Sequence, residues 1–512
     1  MNLLSPTPSS LPSTTIFSTL SPEQLACVNH IQNSRQSLII PSCAGSGKSY
    51  CLEALMVAIN HTYPGASIAL LSFNTSVAEE LSRKVQARGI LNCTVGTAHR
   101  FGKLICESFL RKRVVVNKYK LSDHLKTFCP KHLRWPEQKI IIDFVSMCKD
   151  VGVGVESPMS LESLVALRNH HDIELPEKKL PASLFFDLSL RLLRSSHADS
   201  SKLDIADLIY MPLAHKWPTN KTYDFIIIDE AQDINATRRA LVSHLSKSSS
   251  TIIAVGDESQ AIYGFTGADV DALSLLTKHF SAHTIPLTYS RRCSRAVIHH
   301  AQRTVPSINH LPDAAEGSVT TTDYPAFTQR LRVENHSNSA VLCRKNAPLF
   351  SLALELIRSD IPCRFEGTDI LDKLLRLIEK LEPTSISSLL TSLTNHEQQQ
   401  SLKLSPYRLS ELQDQISCIR QFAIISTSLP QLRASLTSLF SPHNPASPRL
   451  TLSSIHKSKG LEWPTVFLLG RNAWMPSPFA TLPWMQRQES NLLYVAITRA
   501  ITHLVEVTVP ID

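Results

Sequence analysis

Short apolar runs alternate with helix-period sequence along most of the chain. The runs Ser37–Ile40, Ser67–Phe73, Phe225–Ile228, Thr251–Val255, Ala340–Leu342, Leu450–Ile455 and Val466–Leu469 read as buried strands. A strand without a polar face needs cover on both sides, which a parallel sheet with helices above and below provides. Most of the runs lead into a turn containing Gly, Asn or Asp and then into amphipathic sequence, the pattern of repeated strand–helix units. Two stretches break the alternation. Residues 109–200 and 373–446 keep Leu at helical spacing but show no strand series, so each is expected to be a mainly helical insertion. The expected fold class is α/β with two parallel-sheet domains, 23–108 with 201–285 and 286–372 with 447–512, each carrying one insertion.

Composition adds to this picture in a few places. The 52 Lys and Arg outnumber the 44 Asp and Glu by 8, a balance too slight to name a partner. Its distribution says more: nine basic side chains and two acids (Asp123 and Glu137) fall between Arg111 and Lys139. That stretch is either a solvated helical face or a surface for nucleic-acid phosphates. Residues 1–22 hold no charge and 14 Ser, Thr or Pro, the composition of a flexible tail and not of a secretion signal. The 11 cysteines contain no CxxC pair, which argues against a disulfide framework and for a reducing compartment. Cytoplasm would suit a bacterial or phage protein, nucleus or organelle a eukaryotic one. No apolar run approaches the ~18–20 residues of a spanning helix, so no membrane partner is expected.

Candidate chemistry begins where the first strand ends. Ser42-Cys43-Ala44-Gly45-Ser46-Gly47-Lys48-Ser49 is a glycine loop running into a helix start. Its backbone N–H groups are suited to wrap a polyphosphate, Lys48 to reach the β- and γ-phosphates, and the Ser49 hydroxyl to hold Mg²⁺. Ser42 stands where Gly or Ala is usual, and is small enough for the loop to close. Phosphoryl transfer also needs carboxylates for the metal and the attacking water. The strand Phe225–Ile228 ends in Asp229-Glu230, with Asp229 placed to bind Mg²⁺ and Glu230 to act as general base.

With these two motifs in place, the chain resembles the UvrD/Rep/PcrA-like helicases of superfamily 1. Further motifs follow in the family's order. Leu20-Ser-Pro-Glu-Gln24 resembles the glutamine motif, and Ser72-Phe-Asn-Thr75 and Gly96-Thr-Ala-His-Arg-Phe101 the early DNA-contact motifs. Asp229–Asp233 resembles the second motif, Val255–Ala268 the third, Ser290–Cys293 the fourth, Ile455–Trp463 the fifth and Leu493–Ala500 the sixth. The resemblance implies two RecA-like motor domains, with ATP and Mg²⁺ as cofactors. It implies that Gln24 reads the adenine edge, Gln260 senses the γ-phosphate, Glu462 meets the ribose, and Arg292 and Arg499 stabilise the transferring phosphoryl group. Phe73, Tyr263 and Phe265 are then faces for unpaired bases, with Asn74 in the same early motif, and His99 and His456 touch backbone phosphates. Each aromatic is either such a face or a core residue.

The chain departs from the family pattern in places. Arg291 stands where an adenine-stacking Tyr is expected, Phe265-Thr266 where Trp-Arg is common, and Asn491 where Arg is frequent. The second insertion is short for the family. The resulting expectation is an ATP-dependent translocase on single-stranded DNA and its junctions with duplex, with 3′→5′ helicase activity, acting as a monomer or weak dimer. A translocase that displaces proteins with little unwinding, and an ATP-gated DNA-binding scaffold, are the alternatives.

Overall fold

The computed structural model describes residues 16–173, 175, 176, 178–264, 267, 271–334, 336, 338–401, 404, 406–440 and 449–510. The chain divides into two compact units, one running to Ser42 and from Ser46 to Leu287, the other from Thr288 onward with residues 43–45.

Six parallel strands form the sheet of the first unit: β1 (Leu38–Pro41), β2 (Ile68–Ser72), β3 (Cys93–Thr97), β4 (Tyr223–Ile228), β5 (Ser246–Gly256) and β6 (His283–Thr284), in the order β3-β2-β4-β5-β1-β6. Alternation along the strands divides their side chains between two interiors. Ile39, Ile226 and Ile228 enter one, and Leu38, Ile40, Phe225 and Ile227 the other. Pro41 pairs with Gly256, and Ile228 with both Leu71 and Ala254, so the loops after β1, β2, β4 and β5 emerge along one edge. In an open parallel sheet that edge is where ligands bind.

The stretch up to residue 22 is not wholly a tail. Ile16 is buried in the same interior as Cys27, Val28 and Leu52, and Phe17–Thr19 forms a 3₁₀ turn. Ser21 then caps helix Pro22–Asn33 in a reciprocal box with Gln24. Uncharged Ser/Thr/Pro composition concealed these residues because a few apolar side chains, Ile16 with Phe17 and Leu20, suffice to anchor them; residues 1–15 lie outside the described part.

Helices Lys120–Lys126, Trp135–Asp150, Leu161–His170 and Ala182–Ala198 make up the first insertion. Phe144, Phe185 and Leu192 share one interior with Ile39, Leu71 and Ile226 of the sheet. Two lysines are buried here. Lys149 pairs with Asp204 at 2.7 Å and Asp207 at 2.6 Å, and Lys120 with Asp207 at 2.7 Å. The basic stretch Arg111–Lys139 therefore loses one member: Lys120 faces inward, paired with Asp207 far along the sequence. The other eight basic residues are exposed, as are Tyr119 and Trp135.

The second unit repeats the design. A two-stranded pair, β7 (Tyr289–Ser290) and β8 (Asn309–His310), precedes a parallel sheet of β9 (Ser318–Asp323), β10 (Ser339–Cys343), β11 (Cys363–Phe365), β12 (Leu450–Ser454), β13 (Trp463–Leu469) and β14 (Ala500–Thr508). Its order is β11-β12-β10-β13-β14-β9. Helices Thr368–Lys380, Ile386–Ser401, Pro406–Ala423 and Leu429–Leu439 intervene between β11 and β12, the first starting ahead of residue 373. Their Leu389, Ile419 and Leu432 share an interior with Val341, Phe467 and Val505 of the sheet.

Candidate functional site

At the end of β1 the Ser42 amide and hydroxyl both donate to the Gly256 carbonyl, at 2.8 and 2.9 Å, fastening the glycine loop to β5. Ser42 is thus more than a small residue that lets the loop close. Gly47 sits at φ +80° as the N-cap of helix Lys48–Thr62, a conformation only glycine adopts cheaply. The helix therefore presents the N–H groups of its first turn toward the loop. Cys43, Ala44 and Ser46 are buried, and the Ser46 hydroxyl has no hydrogen-bond partner among the described residues. Gln24 is fully buried; its amide donates to the Ser46 and Gly47 carbonyls at 3.3 and 3.4 Å and accepts from the Ser21 N–H. Ser49 is exposed on the first turn.

Facing this loop, β4 ends in Asp229, which is buried, and Glu230, which lies in the left-handed region at φ +51°. A non-glycine residue there is strained, and such strain gathers at functional sites. Lys48 Nζ lies 3.1 Å from Glu230 Oε2. The Gln232 amide donates to the same carboxylate oxygen at 2.5 Å and accepts from the Asp257 N–H at 2.9 Å, joining the ends of β4 and β5. That bridge needs Gly256, since a Cβ there would come within 2.6 Å of Gln232 Oε1. Gln260 donates to Asp257 at 2.6 Å.

The electrostatics follow from burial and charge count. Burial would lower Lys48, but Glu230, Asp257 and Asp229 outweigh it and raise its pKa. Burial, with Glu230 alongside, pushes Asp229 up to about 6, and burial does the same to Asp257. One ammonium thus faces three carboxylates. Together with the unpartnered Ser46 hydroxyl and the helix N–H groups, this set of donors and acceptors fits a polyphosphate with a divalent cation. Among the described residues no three His, Cys, Asp or Glu side chains make a ready metal cage. Mg²⁺ ordinarily takes one or two carboxylates and completes its shell with water and phosphate.

Along the same edge, Phe73 is 40% exposed and stacks on Tyr263, with ring centroids 5.9 Å apart and planes within 9°. Phe73 is therefore not a core residue. Asn74 spends its side-chain oxygen on capping helix Thr75–Ala87, accepting from the Val77 N–H at 2.9 Å. Burial and the nearby Arg238 charge lower His99 to about 4, so its imidazole is neutral at neutral pH. Phe265 lies outside the described residues.

In the second unit Arg292 forms an ion pair with Glu462 and donates to the Thr498 carbonyl. Arg499 is buried; its guanidinium donates to the carbonyls of Val495 at 3.1 Å and Leu461 at 3.0 Å. Burial and then Arg292 bring it down to about 10, which leaves it charged at neutral pH. Arg292, Arg499 and Glu462 thus form one cluster. Arg291 is exposed. Burial, with Arg344 and Lys457 nearby, lowers His456 to about 3.

Residues 20–281 match the UvrD/REP helicase N-terminal domain, and residues 368–508 the UvrD-like helicase C-terminal domain. The chain belongs to the UvrD/Rep helicase family. Similar proteins include a probable DNA helicase II homolog of Rickettsia felis, 25% identical over 285 residues, 52% of this chain and 41% of the relative. The ATP-dependent DNA helicase Rep of Buchnera aphidicola is 24% identical over 306 residues, 55% of this chain and 45% of the relative. DNA helicase IV of Escherichia coli is 25% identical over 306 residues, 51% of this chain and 43% of the relative. The chain therefore spans under half the length of these curated relatives. Among the described residues no helix is long and apolar enough to cross a membrane.

Three residues of this UvrD/Rep family member emerge only from the geometry. Gln232 and Asp257 lie inside recognised motifs, where their bridging contact links two segments distant in sequence. Arg238 belongs to no motif; it donates to the Asp233 carbonyl at 3.2 Å and places its guanidinium 5.4 Å from the Phe73 ring centre.

Proposed function

We propose that this chain is an ATP-driven motor that moves 3′→5′ on single-stranded DNA and unwinds duplexes. The observation that carries the reading is the cluster of Lys48 with Asp229, Glu230 and Asp257, in the same unit as an exposed pair of stacked rings. The triphosphate of ATP rests on loop 42–47, with Lys48 as its counter-charge. Gln24, tied to the loop carbonyls, connects the adenine edge to that loop. Asp229 and the Ser49 hydroxyl would hold Mg²⁺, which would supply charge neutralisation to the phosphates. Before ATP binds, Lys48 engages Glu230; phosphate oxygens then compete for the ammonium and leave the carboxylate more basic. Glu230 accepts a proton from the attacking water as its oxygen bonds to the γ-phosphorus and the bond to ADP breaks. Gln260, beside Asp257, reports whether the γ-phosphate is present.

Arg292 and Arg499 stabilise negative charge on the transferring group. Glu462, assigned to the ribose, must then exchange its hold on Arg292, and Arg291 meets the adenine. Phe73, Tyr263 and Phe265 stack on unpaired bases, a contact indifferent to sequence. Asn74, His99 and His456 follow the DNA backbone, the histidines as neutral hydrogen-bonding groups. The test is ATP turnover with and without single-stranded oligonucleotide, followed by unwinding of duplexes tailed at either end. Stimulated turnover with opening of 3′-tailed duplexes supports the reading. Stimulation without opening makes the chain a protein-displacing translocase, and absence of stimulation overturns the motor.

A further inference from the structure

Phe73 raises a physical question. A large ring exposed at the end of β2 gains little from burial and would ordinarily be free to rotate, yet a surface for stacking bases works best when it is already held in place. Two groups hold it. Tyr263 lies parallel on it, and the Arg238 guanidinium sits over it at 5.4 Å, attracted by the π cloud. Arg238 is itself fixed from the other side, because its Nη1 donates to the Asp233 carbonyl in the turn that carries Asp229 and Glu230. Its own main-chain N–H donates to the Asn235 side chain at the helix start.

The helical insertion reaches the same place. Thr237, next to Arg238, donates its hydroxyl to the Lys149 carbonyl at 2.6 Å, and the Lys149 ammonium is locked on Asp204 and Asp207. The following residue, Asp150, is an electrostatic neighbour of Arg238, whose charge offsets part of the rise that burial imposes on the carboxyl. A Cβ on Gly267 would meet Val151 at 3.1 Å, so the end of helix Trp135–Asp150 also abuts the third-motif loop.

We infer that Arg238 is a positioning residue for the Phe73–Tyr263 stacking surface, and that the Thr237 contact with Lys149 ties the helical insertion to the same arrangement. The inference rests on the DNA-motor reading and adds a route by which the insertion governs the grip on single strands. Thr266 supplies no charge in the third motif, and Arg238 brings a cation to the Phe73 ring from helix Ala236–Leu245.

The experiment measures binding of fluorescent oligo-dT by anisotropy, at several salt concentrations, for wild type, Arg238→Gln, Arg238→Lys, Thr237→Val, Phe73→Ala and the Phe73→Ala/Arg238→Gln double variant. Arg238→Gln is expected to weaken binding about five- to tenfold, the range of a partly desolvated cation–π contact. Arg238→Lys should recover part of that loss, and Thr237→Val, which removes the hydrogen bond to the insertion, should weaken binding about twofold. The salt slope should not change. In the double variant, Arg238→Gln should add almost nothing to the loss from Phe73→Ala, because both act through one ring. DNA-free ATP turnover of Arg238→Gln should stay within about twofold of wild type, since the residue touches neither Lys48 nor Glu230. Additive losses would overturn the positioning role, and a salt slope reduced by about one would make Arg238 a direct phosphate contact instead. A joint fall in DNA-free turnover would make it a structural support of the second motif. If Arg238→Gln fails to fold, Arg238→Lys and Thr237→Val binding normally would sink the proposal. Wild type failing to bind oligo-dT would remove the motor reading itself, and the inference with it.

Discussion

In the helical insertion Lys120 and Lys149 face Asp204 and Asp207, while at the ends of β1 and β4 a single Lys48 faces Asp229 and Glu230, with Asp257 at the end of β5. Both clusters bury charge, and they do so in opposite ways. An ammonium has three donors. Lys120 spends them on Asp207 and on the carbonyls of Ser196 and Asp199, and Lys149 on Asp204, Asp207 and the Ser196 hydroxyl. Asp204 and Asp207 also accept each other's main-chain N–H. Charges cancel and the network closes. The Lys48 cluster leaves two negative charges uncompensated beside an unpartnered hydroxyl at Ser46. Residue type does not distinguish a structural cluster from one shaped for a ligand; charge balance and hydrogen-bond closure do.

The sharpest way to test the contrast is to change one group in each. Glu230→Gln keeps the shape of the open cluster but removes its base, so steady-state ATP turnover should fall by ~10²-fold or more while nucleotide still binds. Lys149→Met leaves Asp204 and Asp207 without their partner and should cost about 3–5 kcal/mol in denaturant unfolding of the first unit. Replacing Lys120, Lys149, Asp204 and Asp207 together by apolar residues of similar volume should recover most of that loss, because a balanced buried network adds little net stability.

A smaller effect separates the clusters by metal. Mg²⁺ at about ten times its dissociation constant should stabilise wild type by roughly 1.4 kcal/mol in thermal unfolding, and Asp229→Asn should abolish the gain. The smallest effect concerns the surface that Lys120 was expected to join. Changing Lys112, Lys118 and Arg134 to Gln should leave stability within about 0.5 kcal/mol. It should weaken binding to duplex or junction DNA with a salt slope lower by up to about three. A stability loss as large as that of Lys149→Met would mean these residues are structural as well.

Much of the architecture was legible because it rests on strands apolar on both faces. Phe225–Ile228 and Val466–Leu469 could hardly be anything else, and their ends point to Asp229 and to the second sheet's edge. The strands β3, β9 and β14 escaped notice because they mix Thr and other polar residues or Gly with apolar ones. β9 lies at the edge of its sheet and needs no apolar outer face. At the site, Lys48 and Glu230 could be paired by motif alone, since the chemistry dictates both. The Arg292–Glu462 ion pair, the burial of Lys120 and the approach of Arg238 to Phe73 could not. Each depends on which distant segment comes alongside, and local pattern carries no information about that. His99 and His456 were legible as positions and not as charge states, because their neutrality comes from burial.

The interior that Phe144, Phe185 and Leu192 share with Ile39, Leu71 and Ile226 bears on how modular the first unit can be. An insertion with its own core behaves as a cassette, which can be removed or exchanged at two cut points. Here a chain joined directly from residue 108 to 201 would open the sheet's interior along Phe101, Ile105 and Tyr210. The helices and the sheet also unfold together, since neither keeps a closed core without the other. Substitutions in this segment should consequently be tolerated on its outward face, where the exposed basic residues lie, while its inward face must keep its shape for the sake of the sheet beneath.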